Sequence, residues 1–327
     1  MKPTEIIASL YTVIASQLPV FIWGPPGVGK SRIVEQVARS KGLDLIDIRA
    51  LLLDPVDLRG LPRITSDGLS QWCTPEFLPR QGKGLLFLDE LNAAPPLVQA
   101  ACYQLVLDRK LGEYTLPDGW SIIAAGNRET DRAVTHRMPS ALANRFIHFD
   151  FTVDVEEWIS WAVENDIAQE IIAFIRFRPA LLHDFDPERN SKAFPTPRSW
   201  EFASSLLAAS PQPNLLKEIL SGTVGYAAAS EFIGFLKLYH ALPAVDDILE
   251  DPAKIDISMD PAVLYAVCEM VGRAATMERK EKVFIFAGRL PTEFSILLVR
   301  EAVRHCSEIA ATDQFAGWAQ HHADVLV

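Results

Sequence analysis

The chain has 327 residues, a length typical of about two domains. Hydrophobic residues make up 49% and charged residues 22% of it, which is ordinary for a globular protein and excludes disordered and collagen-like classes. The formal net charge of −11 argues against a protein that grips nucleic acid through its overall charge, although a local basic patch stays compatible with it.

The four cysteines lie far apart in the sequence and form no C-x-x-C pair. This usage is typical of a reduced intracellular protein and argues against a disulfide scaffold or a cysteine-based zinc site. We therefore expect a cytoplasmic protein whose default partner is another protein or a small molecule.

Residues 6–23 carry no charge and superficially resemble a signal peptide or a membrane span. Polar side chains dilute the stretch, however, and Pro19 interrupts it. Apolar residues recur at helical spacing up to Leu18, and residues 20–23 then form a short apolar run. The pattern predicts a helix followed by a buried strand, with no membrane span.

A glycine-rich segment follows this strand and matches the pattern G-x-x-x-x-G-K-[ST]. Glycines let the backbone approach phosphate oxygens closely, and the amide groups at the start of the next helix face the anion. The predicted phosphate-binding residues are Gly24, Pro25, Pro26, Gly27, Val28, Gly29, Lys30 and Ser31. We expect Lys30 to reach the β- and γ-phosphates and Ser31 to hold Mg²⁺.

Two further apolar runs end in polar residues. The run at 85–88 leads into Asp89 and Glu90, and a buried parallel strand delivers its carboxyl end to the ligand crevice. We expect Asp89 to bind Mg²⁺ and Glu90 to polarise the attacking water. The run at 121–126 leads into Asn127, which is placed to orient that water. The segment after it departs from the guanine-reading pattern N-K-x-D, so the predicted nucleotide is ATP.

Several arginines are candidates for the γ-phosphate. Arg145 stands just before a predicted strand and is a candidate arginine finger, reaching a neighbouring subunit's nucleotide. Arg198, in the first turn of a later helix, is a candidate for contacting the nucleotide of its own subunit. Each has the alternative of an ordinary surface arginine. Three more arginines lie between Asn127 and Arg145 and are alternative fingers: Arg128, Arg132 and Arg137.

In this order, the motifs resemble AAA+ ATPases of the MoxR-like and dynein-related branch, over about residues 1–240. The run at 89–96, Asp-Glu-Leu-Asn-x-Ala-Pro-Pro, is fairly specific to that branch. The resemblance implies Walker A residues Lys30 and Ser31, Walker B residues Asp89 and Glu90, sensor 1 Asn127, arginine finger Arg145 and sensor 2 Arg198. The chain departs from the family at Asn144, where an aspartate often precedes the finger.

Short apolar strands alternate with helices up to about residue 151 and predict a parallel sheet with helices on both faces. The later residues have helical spacing, apart from an expected acidic linker at 246–251. The predicted fold is an α/β P-loop NTPase (AAA+) sheet sandwiched by helices, followed by an all-α lid and a C-terminal helical extension. The predicted domains are 1–151, the nucleotide-binding core; 152–245, the lid; and 246–327, the extension.

Two insertions are predicted to be β-hairpins, one around Asp67-Gly68 and one around residues 117–119. Both are compatible with plain surface hairpins. In MoxR-like proteins, hairpins at similar positions face the pore of a ring or a partner. The resemblance therefore implies such a role for residues 57–61 and for the first hairpin.

By the same resemblance, we expect a homo-oligomeric ring of six subunits that hydrolyses ATP with Mg²⁺ and remodels, assembles or activates a protein partner. A von Willebrand factor A-domain protein is one partner that the resemblance implies. Two alternatives stay open: a nucleotide-gated assembly switch with little turnover, and a DNA-dependent ATPase. The acids at 89–90 argue against the switch, and the negative net charge argues against DNA.

Overall fold

The structure is a computed structural model that describes residues 1–131, 136, 138–189, 191–256 and 258–324. It divides into two compact units. Unit 1 comprises Met1–Trp158, Phe185–Ser191 and Thr196–Arg198, and unit 2 comprises Ile159–Asp184, Lys192–Pro195 and Ser199–Val327. The division into three domains at 151 and 245 stays a prediction.

Among the residues that the structure describes, the strands all lie in unit 1. In chain order they are β1 (Val20–Trp23), β2 (Asp44–Arg49), β3 (Leu61–Ile64), β4 (Ser70–Cys73), β5 (Gly84–Asp89), β6 (Lys110–Leu111), β7 (Tyr114–Thr115), β8 (Trp120–Gly126) and β9 (Ile147–Asp150). Within the described residues, five of them form one parallel sheet in the order β2-β5-β8-β1-β9. Because β8 lies between β1 and β5, the residues that follow these three strands meet at one edge of the sheet.

Helices cover both faces of this sheet. Those of unit 1 are α1 (Pro3–Ala15), α2 (Lys30–Lys41), α3 (Pro55–Arg59), α4 (Pro96–Asp108) and α5 (Ser140–Ala143), and α6 (Val155–Glu164) begins at its end. Successive strand residues point to opposite faces. Leu85 and Phe87 of β5 therefore pack with α1 and α2, whereas Leu86 and Leu88 pack with α4. The predicted parallel sheet between helical layers is confirmed.

The uncharged stretch near the N-terminus forms α1 and β1, as predicted. Ile6 and Leu10 of α1 are fully buried against the sheet, and so are Phe21 and Ile22 of β1. Across the ranges that the structure describes, no helix combines the length and the apolar character needed to cross a membrane.

One predicted hairpin is confirmed and the other is wrong. Strands β3 and β4 pair antiparallel with Leu61 opposite Cys73, and Gly68 in their turn has φ 79°. The second hairpin instead joins β6 to β7, and Gly112 supplies the left-handed turn residue with φ 61°. Residues 117–119 form the turn that leads into β8, with the Trp120 amide donating to the Pro117 carbonyl (3.0 Å).

The described residues after β9 are helical, as predicted. Beyond α6 the helices are α7 (Gln169–Phe177), α8 (Pro197–Ala208), α9 (Pro213–Val224), α10 (Tyr226–His240), α11 (Val245–Glu250), α12 (Pro261–Arg273), α13 (Lys280–Ala287), α14 (Thr292–His305) and α15 (Asp313–His321). The acidic segment expected to be a linker forms most of α11. Its two apolar residues, Ile248 and Leu249, are buried, and this burial stabilises the helix. The acidic residues around them favour a linker when the sequence is considered alone.

A buried ionic cluster joins three helices of unit 2. Arg176 of α7 contacts Glu269 of α12 (Nε to Oε2, 3.0 Å) and Glu301 of α14 (Nη2 to Oε1, 2.6 Å). The three side chains are at most 2% exposed. Burial raises the pKa of Glu269 to about 7, although the guanidinium opposes the shift. The Arg176 guanidinium favours the ionised form of Glu269 in this apolar setting.

Replacing Arg176 with Met is therefore expected to lower the free energy of unfolding of unit 2 by about 3–5 kcal/mol, because the buried Glu269 carboxylate loses the cation it contacts, whereas Glu301 keeps its ion pair with Arg304 (3.1 Å). Arg178→Met is the matched control. That side chain is 53% exposed and pairs with Glu231 at the surface, so its loss is worth less than about 1 kcal/mol. Denaturant unfolding of both variants measures the difference, and equal losses would contradict this account of the cluster.

Candidate nucleotide site

The loop between β1 and α2, residues 24–29, has a backbone that requires glycine. Gly27 and Gly29 have φ of 76° and 101°, in the left-handed region that L side chains rarely adopt. A Cβ atom on Gly27 would also lie 2.8 Å from Thr196 Oγ1. The amide of Arg198 donates a hydrogen bond to the Gly27 carbonyl (3.2 Å). The loop is thus wrapped tightly, with the 196–198 segment beside it.

Lys30 begins α2 and is buried, with 9% of the residue exposed. Its ammonium donates to the carbonyls of Gly24 (2.6 Å) and Pro25 (3.0 Å) and to Asn127 Oδ1 (3.0 Å). Burial lowers the pKa of Lys30 to about 8, although the nearby Asp89 carboxylate opposes the shift. The structure therefore brings together two predicted site residues, the lysine of the loop and the asparagine that follows β8.

Ser31 and Asp89 also meet at this edge. Ser31 Oγ donates to Asp89 Oδ2 (3.0 Å), and both residues are half-buried. Hydroxyl and carboxylate oxygens are ligands that Mg²⁺ prefers, especially beside substrate phosphates. The pair fits the predicted Mg²⁺ site, in which these two side chains would hold the ion next to the loop.

Glu90 has a strained backbone. Its φ and ψ are 55° and 33°, the left-handed conformation, and its amide donates to Asp89 Oδ1 (3.0 Å). A residue other than glycine is held there at a cost of about 1–3 kcal/mol. Such strain is concentrated at functional sites, and here it affects the residue expected to activate water. Its side chain is half-buried, and it comes directly after Asp89, the residue that contacts Ser31 at the end of β5.

One residue of this site carries no role in the sequence interpretation. Asn92 is 1% exposed, and its Nδ2 donates to the backbone carbonyl of Asn127 (2.7 Å). Asn92 belongs to the Asp-Glu-Leu-Asn run that carries the family resemblance. The sequence feature that could have indicated a role for it is a polar amide placed among apolar residues. Its contact with Asn127 depends on the pairing of β5 with β8, which a local pattern does not specify.

The candidate arginines occupy different places. Arg198 is exposed near the loop, and its charge contributes to lowering the pKa of Lys30. Arg128 lies at the carboxyl end of β9, where its side chain donates to the Phe151 carbonyl (3.0 Å) and pairs with Asp150 (3.4 Å). Two of the alternative fingers, Arg132 and Arg137, lie outside the described residues.

Arg145 lies two residues before β9, at the amino edge of the parallel sheet. Its guanidinium donates to the Ala141 carbonyl (2.7 Å) and lies 5.0 Å from the centre of the Tyr103 ring. Lys30 follows the carboxyl end of β1, at the other edge. Arg145 is therefore at the opposite edge of the sheet from the phosphate loop of its own chain.

The lowered pKa of Lys30 makes nucleotide affinity depend on pH. Below about pH 8 the Lys30 ammonium is charged and attracts phosphate. Above about pH 8 the amine is mostly neutral, so phosphate binding requires the uptake of a proton. We expect ADP affinity to fall by up to about tenfold per pH unit between about pH 8 and pH 9.5. Titration calorimetry measures this directly. Lys30→Arg is the control, because a guanidinium stays charged and its affinity should be flat; an equally flat wild-type profile would contradict the prediction.

No protein-family model matches the chain. Midasin of Giardia intestinalis is 28% identical to it over 171 residues, which are 49% of this chain and 4% of that protein. The chain thus spans a small fraction of this relative's length.

Among solved structures, a proposed ATPase of Cytophaga hutchinsonii is 16% identical with a TM-score of 0.38, covering 90% of this chain and 79% of that one. A variant of RuvB from Thermotoga maritima is 15% identical with a TM-score of 0.42, covering 77% of each chain. The strand order and the loop geometry of the chain itself define a P-loop NTPase fold. In its sequence motifs the chain resembles AAA+ ATPases of the MoxR-like and dynein-related branch.

Proposed function

We propose that the chain is the subunit of an AAA+ ring motor that hydrolyses ATP to remodel, assemble or activate a protein partner. One observation carries this proposal: the phosphate loop, the pair Ser31–Asp89, and the polar residues Glu90 and Asn127 meet where three adjacent strands end. A nucleotide switch with little turnover has no need of a water-activating acid. The retention of Glu90 favours hydrolysis over that alternative.

In the proposed reaction, the loop amides and the Lys30 ammonium bind the β- and γ-phosphates of ATP. Ser31 and Asp89 would hold Mg²⁺, which neutralises phosphate charge when bound. Glu90 accepts a proton from the attacking water, and the Asn127 amide orients that water towards the γ-phosphate. When the Lys30 ammonium donates to phosphate, it gives up its hydrogen bond to Asn127 Oδ1. The Asn127 side chain is then available to contact the attacking water.

The place of Arg145 supports a site completed between subunits. Because it lies at the amino edge of its own sheet, its guanidinium would stabilise the developing charge on a neighbour's γ-phosphate. Arg198, beside its own loop, would act in the same subunit. An oligomeric ring satisfies both arrangements, and the number six comes from the family resemblance.

The first hairpin supports a protein partner. Both of its strands are exposed, and its apolar side chains include Leu61 (66% exposed), Ile64 (83%), Leu69 (67%) and Trp72 (41%). Apolar side chains grouped on a protruding element mark interaction sites. We assign this hairpin to contact with the protein substrate or partner. A von Willebrand factor A-domain protein is the partner that the resemblance favours.

If Arg145 acts in a neighbouring subunit, ATP turnover per subunit should rise steeply with protein concentration as the ring forms. The measurement is the ATPase rate against concentration, with mass determined by sedimentation with and without ATP. Arg145→Ala should lower kcat of the assembled protein by about a thousandfold. Arg39→Ala removes an exposed arginine of α2 and should leave kcat unchanged.

A stable monomer that hydrolyses ATP as fast as the assembled ring would contradict the motor proposal, and so would an unchanged rate in Arg145→Ala. Tight ATP binding with negligible turnover at every concentration would favour the assembly switch. Stimulation by DNA that falls steeply with added salt would favour the DNA-dependent ATPase.

Removing residues 65–70 should abolish binding of a partner that cross-links to the wild-type chain, while basal ATP turnover stays within about twofold. Ile64→Ser together with Trp72→Ser should act in the same direction, since it removes the apolar surface and keeps the backbone. Leu97→Ser is the matched control, because that side chain is 71% exposed on α4, outside the hairpin. Wild-type partner binding and remodelling by the deletion variant would rule out this role.

A further inference from the structure

A buried amide lies two residues after Glu90, and the proposed mechanism does not use it. Asn92 sits in a short 3₁₀-helix, Leu91–Ala93, whose residues are all buried. An amide is an expensive group to bury, because each of its polar atoms loses water and needs a partner. A hydrophobic residue of similar size would fill the same space, so the identity of the side chain calls for an explanation.

The hydrogen bonds of Asn92 lead to the end of β8, to His136 and to Gln99 of α4. Its Nδ2 donates to the carbonyl of Asn127 (2.7 Å), and its own carbonyl accepts from the amide of His136 (2.7 Å). The buried Gln99 side chain donates to the neighbouring Ala94 carbonyl (3.0 Å). Asn92 Oδ1 has no hydrogen-bond partner among the described residues. The side chain is thus held by one strong hydrogen bond, and that bond goes to the backbone of Asn127.

The neighbouring strand has a gap that fits this amide. A Cβ atom on Gly126 would overlap Asn92 Oδ1, so the amide occupies the space that any other residue at 126 would need. Gly126 is the last residue of β8, directly before Asn127. The glycine and the asparagine therefore fit together as a pair, and the fit places the amide between the ends of β5 and β8.

This pair connects the two groups that handle water. Glu90 is in the left-handed conformation, and its carbonyl accepts from the Ala93 amide (2.9 Å), which closes the turn that contains Asn92. The Asn92 side chain ties this turn to the backbone of Asn127, whose Oδ1 contacts Lys30 (3.0 Å). Beyond the last paired residues of β5 and β8, one buried side-chain hydrogen bond thus joins the turn of Glu90 to the end of β8.

We infer that Asn92 is a positioning residue for ATP hydrolysis: it holds Glu90 and Asn127 in register without touching the nucleotide. The inference rests on the proposed function. Among the described residues, the hydrogen bonds of Asn92 go to Asn127, His136 and Gln99 and not to the phosphate loop or Lys30, so its loss should affect the hydrolytic step and leave nucleotide binding in place. A small displacement of a water-activating group is enough to slow a reaction by tenfold or more, about the size of effect expected here.

The test compares kcat and KM for ATP in two variants. Asn92→Leu keeps the branching at Cγ and removes the donor, and Gly126→Ala displaces the amide from the other side. Both variants should lose about tenfold or more in kcat, with KM and ADP affinity within about threefold of wild type. Tyr114→Phe is the matched control. It removes another buried hydrogen bond of unit 1, from Tyr114 to the Pro79 carbonyl (2.6 Å), and should keep the wild-type kcat.

The outcomes separate the two proposals. If the assembled wild-type chain hydrolyses no ATP, the proposed function fails and the inference fails with it. If wild type and Tyr114→Phe hydrolyse ATP and the Asn92 and Gly126 variants match them, the inference alone is overturned. Equal losses in kcat and nucleotide affinity, or a fall in kcat that Tyr114→Phe reproduces, would mean that Asn92 only supports the fold, which also overturns it.

Discussion

The site is organised by a buried cation. An ammonium group removed from water must be surrounded by acceptors, and Lys30 finds them in the carbonyls of its own loop and in the side chain that follows β8. These partners come together only because β8 lies beside β1 and the intervening glycines allow the loop to curl. The sheet order, the glycines and the lysine are therefore parts of one arrangement.

The acidic end of β5 illustrates how this arrangement stores energy. Packing of the strand on both faces, with Leu86 and Phe87 fully buried, fixes the position at which Asp89 emerges. Glu90 then takes a backbone conformation that it would avoid in an isolated peptide. The hydrogen bonds of its own amide and carbonyl, with Asp89 Oδ1 and the Ala93 amide, hold this conformation. A rigid acid beside a phosphate loop needs little rearrangement when a nucleotide arrives, which is the advantage of preorganisation.

Much of the fold and of the site could be predicted because their determinants are local. The glycine pattern specifies the loop and Lys30, and apolar runs that end in polar residues specify the strands that deliver Asp89 and Asn127. The errors arose where tertiary contacts decide. The second hairpin turns at Gly112, although the Pro-Asp-Gly pattern at 117–119 is the stronger local turn sequence. The acidic segment forms α11 because Ile248 and Leu249 are buried. The sequence indicates no role for Asn92, because its partner is 35 residues away.

In the proposed ring, where Arg145 acts on a neighbour's nucleotide, the separation of Arg145 from the phosphate loop gives each subunit a polarity. A donor at the amino edge of a sheet and an acceptor at the carboxyl edge favour head-to-tail contacts over the self-complementary contact of a two-fold dimer. Head-to-tail contacts leave one open loop and one unused arginine at the ends of every incomplete assembly. They end only when the rotation between subunits closes a circle, and otherwise they extend as a helical filament. The angle between neighbouring subunits thus determines whether every site in the assembly is complete.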